Sequence, residues 1–243
     1  MAKIFSIGIG PGDIELITEQ AKKILEHVDT IMGYNRLIHH LDSLMKGKAI
    51  YSSGLNKESD LAEKALEIAR QGKDVAVLSR GDSCVYGMAV ILQNLVSKEE
   101  NIELQIVPGI PDFISASAMV GTPLVDEFAT LSLSTRLTPL ATIEFRARLL
   151  AQTDLAIVMY YPPETESPEV LQSVLDIFSS HRPAGTAVAI IKKPHRKNQE
   201  VISTTLESVF TDDINEFSII IICSEESRIV DEKIQGKAGY IFY

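Results

Sequence analysis

Apolar, β-branched runs recur along this chain, separated by stretches whose apolar residues fall three and four apart. Runs at 3–9, 28–33, 48–52, 74–79 and 103–107 predict strands. Between them, Ala21, Ile24, Leu25 and Val28 fall on one helical face, as do Leu61, Ala65, Leu66, Ile68 and Ala69. Thr18 is placed to cap the first of these helices, with Glu19 just inside it where a negative charge suits the helix dipole. Strands alternating with helices predict an α/β fold with a largely parallel sheet. Val107-Pro108-Gly109-Ile110-Pro111 and Gly121-Thr122-Pro123 then punctuate the pattern, which puts a domain boundary near 110–124. The expected division is an N-terminal α/β domain over 1–115 and a C-terminal mixed α/β domain over 116–243. In the second, runs at 128–133, 154–160, 186–191, 200–203 and 217–223 predict strands. Turn-rich spacers make this half read as a smaller, more mixed unit with fewer long helices.

Composition narrows the setting. The chain has 243 residues, 45% of them hydrophobic and 23% charged, enough to bury a core without disulfides or a metal. Cys84 and Cys223 lie in no CxxC or Cys/His spacing, which points to a reducing cytoplasm and no structural zinc. The N-terminal strand-like run ending in glycines is unlike a signal peptide, and apolar runs such as 218–223 fall far short of the ~20 residues of a membrane helix. A formal net charge of -10 opposes attraction to nucleic acid or anionic lipid. Anionic small substrates are still allowed, because a local basic pocket acts at contact range while salt screens the global field.

Two glycine loops follow strands. Gly8-Ile9-Gly10-Pro11-Gly12-Asp13 fits a dinucleotide fingerprint poorly: Asp13 stands where a glycine is wanted, and Pro11 removes an amide from any phosphate cradle. It reads either as a tight turn or as a close-packed loop at a cleft, with Asp13 facing a substrate that carries N–H groups. Ser79-Arg80-Gly81-Asp82-Ser83-Cys84-Val85-Tyr86-Gly87 lies at the carboxyl end of a strand, where open α/β sheets bind ligands. Asp82 could pair with a ligand amine or cap a helix beginning near Cys84, and Cys84 is expected to be packed rather than reactive.

Taken in order, the segments GIGPGD, MGYNRLI, SRGDSCVYGMA, VPGIPD, GTPLVDEFATLSLSTRLTP, MYYP and ISTTL resemble the tetrapyrrole methylase family. The resemblance runs from about Ile4 to Tyr243, and the spacing is most similar to the precorrin-3B (cobalt-factor III) C17-methyltransferase branch. It implies two α/β domains with S-adenosylmethionine in the cleft between them, a tetrapyrrole macrocycle as substrate, and a homodimer. Cofactor contacts carry over to Pro11, Arg80, Gly81, Asp82, Val85, Pro111, Asp112, Tyr161 and Pro194, many of them made by backbone in the family. The chain departs from the resemblance at several positions: SRGDSCVYGMA stands where the branch has SSGDxGVYGMA, GTPLVDEFATLSLSTRLTP where it has GAPLMHDFAxISLSDLLTP, with Asp126 in place of its histidine, Pro111 where the family often shows threonine, and Tyr161 in place of the asparagine of a YNP motif.

Methyl transfer from a sulfonium calls for in-line positioning rather than a metal or a nucleophile–base pair, and positioning alone supplies as much as ~7–11 kcal/mol in favourable cases. The absence of HExxH, GxSxG or a Ser/Lys dyad is consistent with that. The ring contraction known for the C17 branch also needs proton transfers, for which Asp13 and Asp126 are the candidates; each could instead be a cap or a solvated turn residue. The carboxylates of the substrate call for cations. Arg36, His39 and His40 form one basic grouping, and Lys192, Lys193, His195, Arg196 and Lys197 another. Arg36 and Arg196 rank first, since a guanidinium binds carboxylate bidentately. Three other readings remain: methylation of RNA or of a translation-factor precursor on the same scaffold, a cofactor binder without turnover, and a dinucleotide enzyme.

Overall fold

The computed structural model describes residues 1–38, 41, 45–54, 57–136, 138–161, 168–196, 198–211, 214 and 218–237. Contacts divide the chain into two compact units, Met1–Asp112 and Phe113–Tyr243.

In the first unit, β1 (Ala2–Gly8), β2 (Thr30–Tyr34), β3 (Ala49–Ser53), β4 (Val75–Ser79) and β5 (Ile102–Val107) form a sheet ordered β3-β2-β4-β1-β5. Every pairing in it is parallel. Helices α1 (Glu19–His27), α2 (Asn35–Ile38), α3 (Glu58–Arg70) and α4 (Ala89–Val96) alternate with the strands, and α5 (Asp112–Val120) starts at the last residue of the unit. Successive residues of β1 point to opposite faces. Phe5, Ile7 and Ile9 join Ala21, Leu25 and Val28 in one core, whereas Ile4 joins Met32, Leu61, Ala65 and Leu92 in another. A parallel sheet covered on both faces needs apolar residues at consecutive positions, which explains why its inner strands read as continuous runs. Thr18 caps α1 as expected: its Oγ1 accepts from the Ala21 N–H at 3.2 Å.

The connection from β1 leads through α1 to β2 on one side, while β4 connects through α4 to β5 on the other. The winding therefore reverses between the neighbouring strands β1 and β4. Loops after β4, β1 and β5 leave the same edge of the sheet around this reversal, the usual ligand position in open α/β sheets.

The second unit holds β6 (Phe128–Ser132), α6 (Leu140–Ala151), β7 (Ala156–Tyr160), α7 (Pro168–Ser179), β8 (Ala187–Lys192), β9 (Glu200–Thr205), β10 (Ser218–Ile222) and the hairpin β11 (Arg228–Val230)–β12 (Lys233–Gln235). Its sheet runs β6-β7-β10-β8-β9, with β6 parallel to β7 and the remaining pairs antiparallel. Ile143, Ala147 and Ala151 of α6 and Leu171, Val174, Leu175 and Phe178 of α7 pack on one face of it. The unit is mixed, as the sequence suggests, but it is not the smaller of the two, nor is it poor in long helices. Helices α6 and α7 each have 12 residues, against 13 in α3. The buried stripe of α6 is mostly alanine while Phe145 and Leu149 stay exposed, so its hydrophobic pattern marks no single face.

Arg182 is buried in this unit. Its guanidinium donates to the backbone carbonyls of Cys223 at 3.0 Å, Thr153 at 2.8 Å, Leu155 at 2.8 Å and Leu150 at 3.3 Å. It also lies 5.3 Å from the centre of the Phe178 ring. Burial pushes its pKa down, opposed by the nearby charges of Asp154 and Glu225. Among the described residues, no helix is long and apolar enough to cross a membrane.

Candidate functional site

The three loops at the edge of the first sheet are interlocked by their backbones. Gly10 and Gly81 form an antiparallel bridge, with Gly10 N–H donating to Gly81 O at 3.0 Å and Gly81 N–H to Gly10 O at 2.8 Å. Ile9 N–H donates to Ser79 O at 3.0 Å. Gly10 and Gly81 sit at φ +74 and +62, a region open to glycine at little cost. A Cβ on Gly8 would come 2.7 Å from Gly109 N, so the loops after β1 and β5 touch with no room for a side chain.

Side chains complete the lock. Asp82 Oδ1 accepts from Cys84 N–H at 2.7 Å, and its Oδ2 accepts from Gly109 N–H at 2.9 Å. Arg80 Nε lies 2.5 Å from Asp112 Oδ2. Among the described residues, neither Arg80 Nε nor Nη2, both buried, makes a hydrogen bond, so this pair is held by charge rather than by an aligned N–H. The hydroxyls of Ser6 and Ser83 are bonded to each other, and Ser79 Oγ accepts from Met88 N–H at 3.0 Å. Pro11 is buried beside the bridge, and Val85 is half-buried. Asp13 caps the 3-10 turn Ile14–Leu16, its Oδ1 accepting from Glu15 N–H at 2.9 Å.

Two local expectations need correction. Asp82 caps no helix: α4 starts at Ala89, and its capping position, Met88, makes no side-chain bond. The chain between is irregular, with Tyr86 at φ 55 and Gly87 pressed against Ser83. Cys84 therefore lies on an open loop instead of a packed helical turn, and it is exposed.

The remaining candidates lie in the second unit. Tyr161 follows β7 and packs against the core there. Pro194 is buried and Arg196 half-buried in the connection between β8 and β9, where Lys193, His195 and Asn198 take φ of 50, 55 and 65. Strand directions put Tyr161 and this connection at one end of the second sheet, and Asp126, exposed ahead of β6, at the other. A five-residue strand separates the ends by about 17 Å. Lys192 is spoken for by Glu200, 2.9 Å away. The side chain of Arg36, together with His39, His40 and Lys197, lies outside the described residues. No group of three or more potential metal ligands occurs among the described residues.

The profile of the Tetrapyrrole (Corrin/Porphyrin) Methylases matches residues 3–209. The chain belongs to the tetrapyrrole methylase family. The chain is 31% identical to a cobalt-factor III methyltransferase of Priestia megaterium over 98% of its own length, although it spans only 45% of that relative. It is 30% identical to a probable cobalt-factor III C(17)-methyltransferase of Salmonella typhimurium, covering 96% of this chain and 98% of that one. Its structure is similar to that of the methyltransferase CobJ, with a TM-score of 0.90 at 25% identity over 98% of this chain and 100% of the other.

The sequence does not reveal how these loops join. Ser6, Ser83 and the amide of Gly109 carry no signature, and the glycine of VPGI was the one legible hint. The two thiols are also set apart by the fold. Burial pushes the Cys223 thiol up from 9.0 to about 12. One thiol, Cys84, is expected to react with Ellman's reagent in the native protein and both after denaturation. Because the folded pKa is raised, Cys223 contributes stability that is complete below pH 9.0 and lost as pH rises towards 12. That alkaline loss is expected to be smaller in Cys223→Ala.

Proposed function

We propose that this methylase transfers a methyl group from S-adenosylmethionine to C17 of a tetrapyrrole, with ring contraction, in cobalamin biosynthesis. The substrate is cobalt-factor III or precorrin-3B. The observation that carries the reading is the end-to-end match to a C(17)-methyltransferase relative, 98% of which the chain covers. The similarity to cobalt-factor III methyltransferases of Priestia megaterium and Salmonella typhimurium favours the cobalt-bearing substrate.

The interlocked loops suit the cofactor. Pro11, Arg80, Gly81, Asp82, Val85, Pro111 and Asp112 belong to one unit, and Tyr161 and Pro194 are assigned from the second. Arg80 Nε already faces the Asp112 carboxylate, and its buried Nη2 is a donor with no acceptor among the described residues, which leaves it for a polar group of the ligand. When bound, S-adenosylmethionine supplies an electrophilic methyl group, and the task of the protein is to orient it and exclude water. Arg36 and Arg196 are assigned to the carboxylates of the macrocycle. For the proton transfers of ring contraction, Asp13 keeps Oδ2 available beyond its cap bond, and the reading does not depend on Asp126. A homodimer is part of the proposal, to be checked by sedimentation velocity.

Incubation with S-adenosylmethionine and either macrocycle should yield one added methyl per ring by mass spectrometry, together with S-adenosylhomocysteine. Failure with both macrocycles would overturn the reading. Calorimetric binding of NAD in preference to S-adenosylhomocysteine would favour a dinucleotide enzyme instead.

A further inference from the structure

We infer that His195, in the connection between β8 and β9, is a binding residue whose imidazole Nε2–H donates to a carboxylate of the bound ligand. That carboxylate belongs to the macrocycle or to the aminoacyl end of the cofactor, so the inference deepens the proposed function and rests on it.

The connection is held in shape by its own bonds. Lys192 and Glu200, register partners on β8 and β9, pair at its base with Nζ 2.9 Å from Oε2. Within it, Arg196 N–H donates to Lys193 O at 3.1 Å and Gln199 N–H to Arg196 O at 3.1 Å, while Gln199 Oε1 accepts from His195 N–H at 3.2 Å. These turns put Lys193, His195 and Asn198 in the left-handed region, at φ of 50, 55 and 65. Glycine would hold such positions at least cost and asparagine tolerates them, but two of the three are lysine and histidine. The imidazole ends up directed away from solvent: His195 as a residue is half-buried, yet its Nε2 is buried with no hydrogen-bond partner among the described residues. A buried polar atom left without a partner is uncommon, and a ligand group is what would satisfy it. Residues held in sparsely populated backbone regions also cluster at ligand sites.

Charge decides the class of ligand group. Lys192, Lys193, Arg196 and Lys197 surround His195 in sequence against one acid, Glu200, so the segment is cationic whatever the state of the imidazole. Cationic surroundings favour an anion over an amine, and the anionic groups of the proposed ligands are carboxylates. An imidazole Nε2–H is the donor such an oxygen needs. The neighbouring Pro194 is buried and has no N–H, so the side chain of His195 supplies a donor where the backbone offers none.

The test needs no turnover. Uroporphyrin is an octacarboxylate macrocycle whose binding is followed by its visible absorbance. 5′-Deoxy-5′-methylthioadenosine has the nucleoside and thioether of S-adenosylhomocysteine but lacks its carboxylate. His195→Leu should weaken uroporphyrin or S-adenosylhomocysteine by about 10- to 100-fold, as for a lost bond to a charged group, and leave methylthioadenosine unchanged. Whichever compound is weakened identifies the source of the carboxylate. His195→Gln, whose amide nitrogen falls near the Nε2 position, should recover much of the loss. His195→Gly should lose affinity as His195→Leu does yet melt near the wild-type temperature, since relief of the left-handed backbone offsets the added freedom of glycine in the unfolded chain. Unchanged affinity for both carboxylate ligands in His195→Leu would overturn the inference, as would equal weakening of S-adenosylhomocysteine and methylthioadenosine. A marked fall in melting temperature in His195→Gly would also overturn it, showing a structural role. Methyl transfer by wild type with unaltered affinities in His195→Leu would sink this inference alone. Selective weakening in a protein that transfers no methyl group would sink only the proposed reaction, and a wild type that bound neither carboxylate ligand would sink both.

Discussion

Gly109→Ala is expected to abolish measurable binding of S-adenosylhomocysteine and to lower the melting temperature by roughly 6–12 °C, corresponding to about 3 kcal/mol of overpacking. The added methyl would meet the carbonyl carbon of Gly8 at 2.6 Å and its oxygen at 2.7 Å, with the Gly81 oxygen closer still. These obstacles are backbone atoms of two neighbouring loops, so no rotamer change relieves them. The loops must separate, and separation strains the Gly10–Gly81 bridge and lengthens the Asp82–Gly109 bond. Gly185→Ala is the matched control, since nothing lies within 4 Å of a Cβ there. It should change stability by less than about 0.5 kcal/mol. Calorimetry and thermal melts on both variants test the pair. A Gly109→Ala protein that binds with wild-type affinity would show that the loop contact does not matter for the cofactor.

Arg182→Met should destabilise the second unit by about 3–5 kcal/mol, since several buried carbonyls lose their donor at about 1–3 kcal/mol each. Methionine fills part of the space but offers no donor, leaving carbonyls of Leu150, Thr153, Leu155 and Cys223 to lose bonds they cannot all recover from water. Arg182→Lys should rescue little, because one ammonium cannot reach carbonyls spread around a planar fork. The chain has no tryptophan, so urea unfolding is best followed by circular dichroism, with hydrogen exchange locating the loss of protection around α6, α7 and β10. An unfolding midpoint unchanged from wild type would show that the clamp is not stabilising.

Much of the fold is legible in one dimension because a sheet buried on both faces demands consecutive apolar residues. Val75 to Leu78 is such a run, and the structure buries all four. The capping of α1 by Thr18 is legible for the opposite reason, being wholly local. Helix α6 is harder: alanines can face a core or solvent equally well, and only its neighbours select which. Helix α4 starts later than the sequence suggests because the strained turn at Tyr86 and the contact of Gly87 with Ser83 hold the chain out of helix for several residues beyond Cys84.

The chemistry divides in the same way. Glycines at strand ends, the lack of a nucleophile–base pair and the ordered motifs of a tetrapyrrole methylase are properties of residue order, readable without coordinates because short-range backbone sterics and side-chain chemistry dictate them. That the Asp82 carboxylate reaches Gly109, that Arg80 meets Asp112, and that Arg182 gathers four carbonyls was decided by tertiary packing. Hydrogen bonds and ion pairs form between groups that folding brings within about 3 Å, and sequence separation carries no information about that distance once strands from different parts of the chain lie side by side.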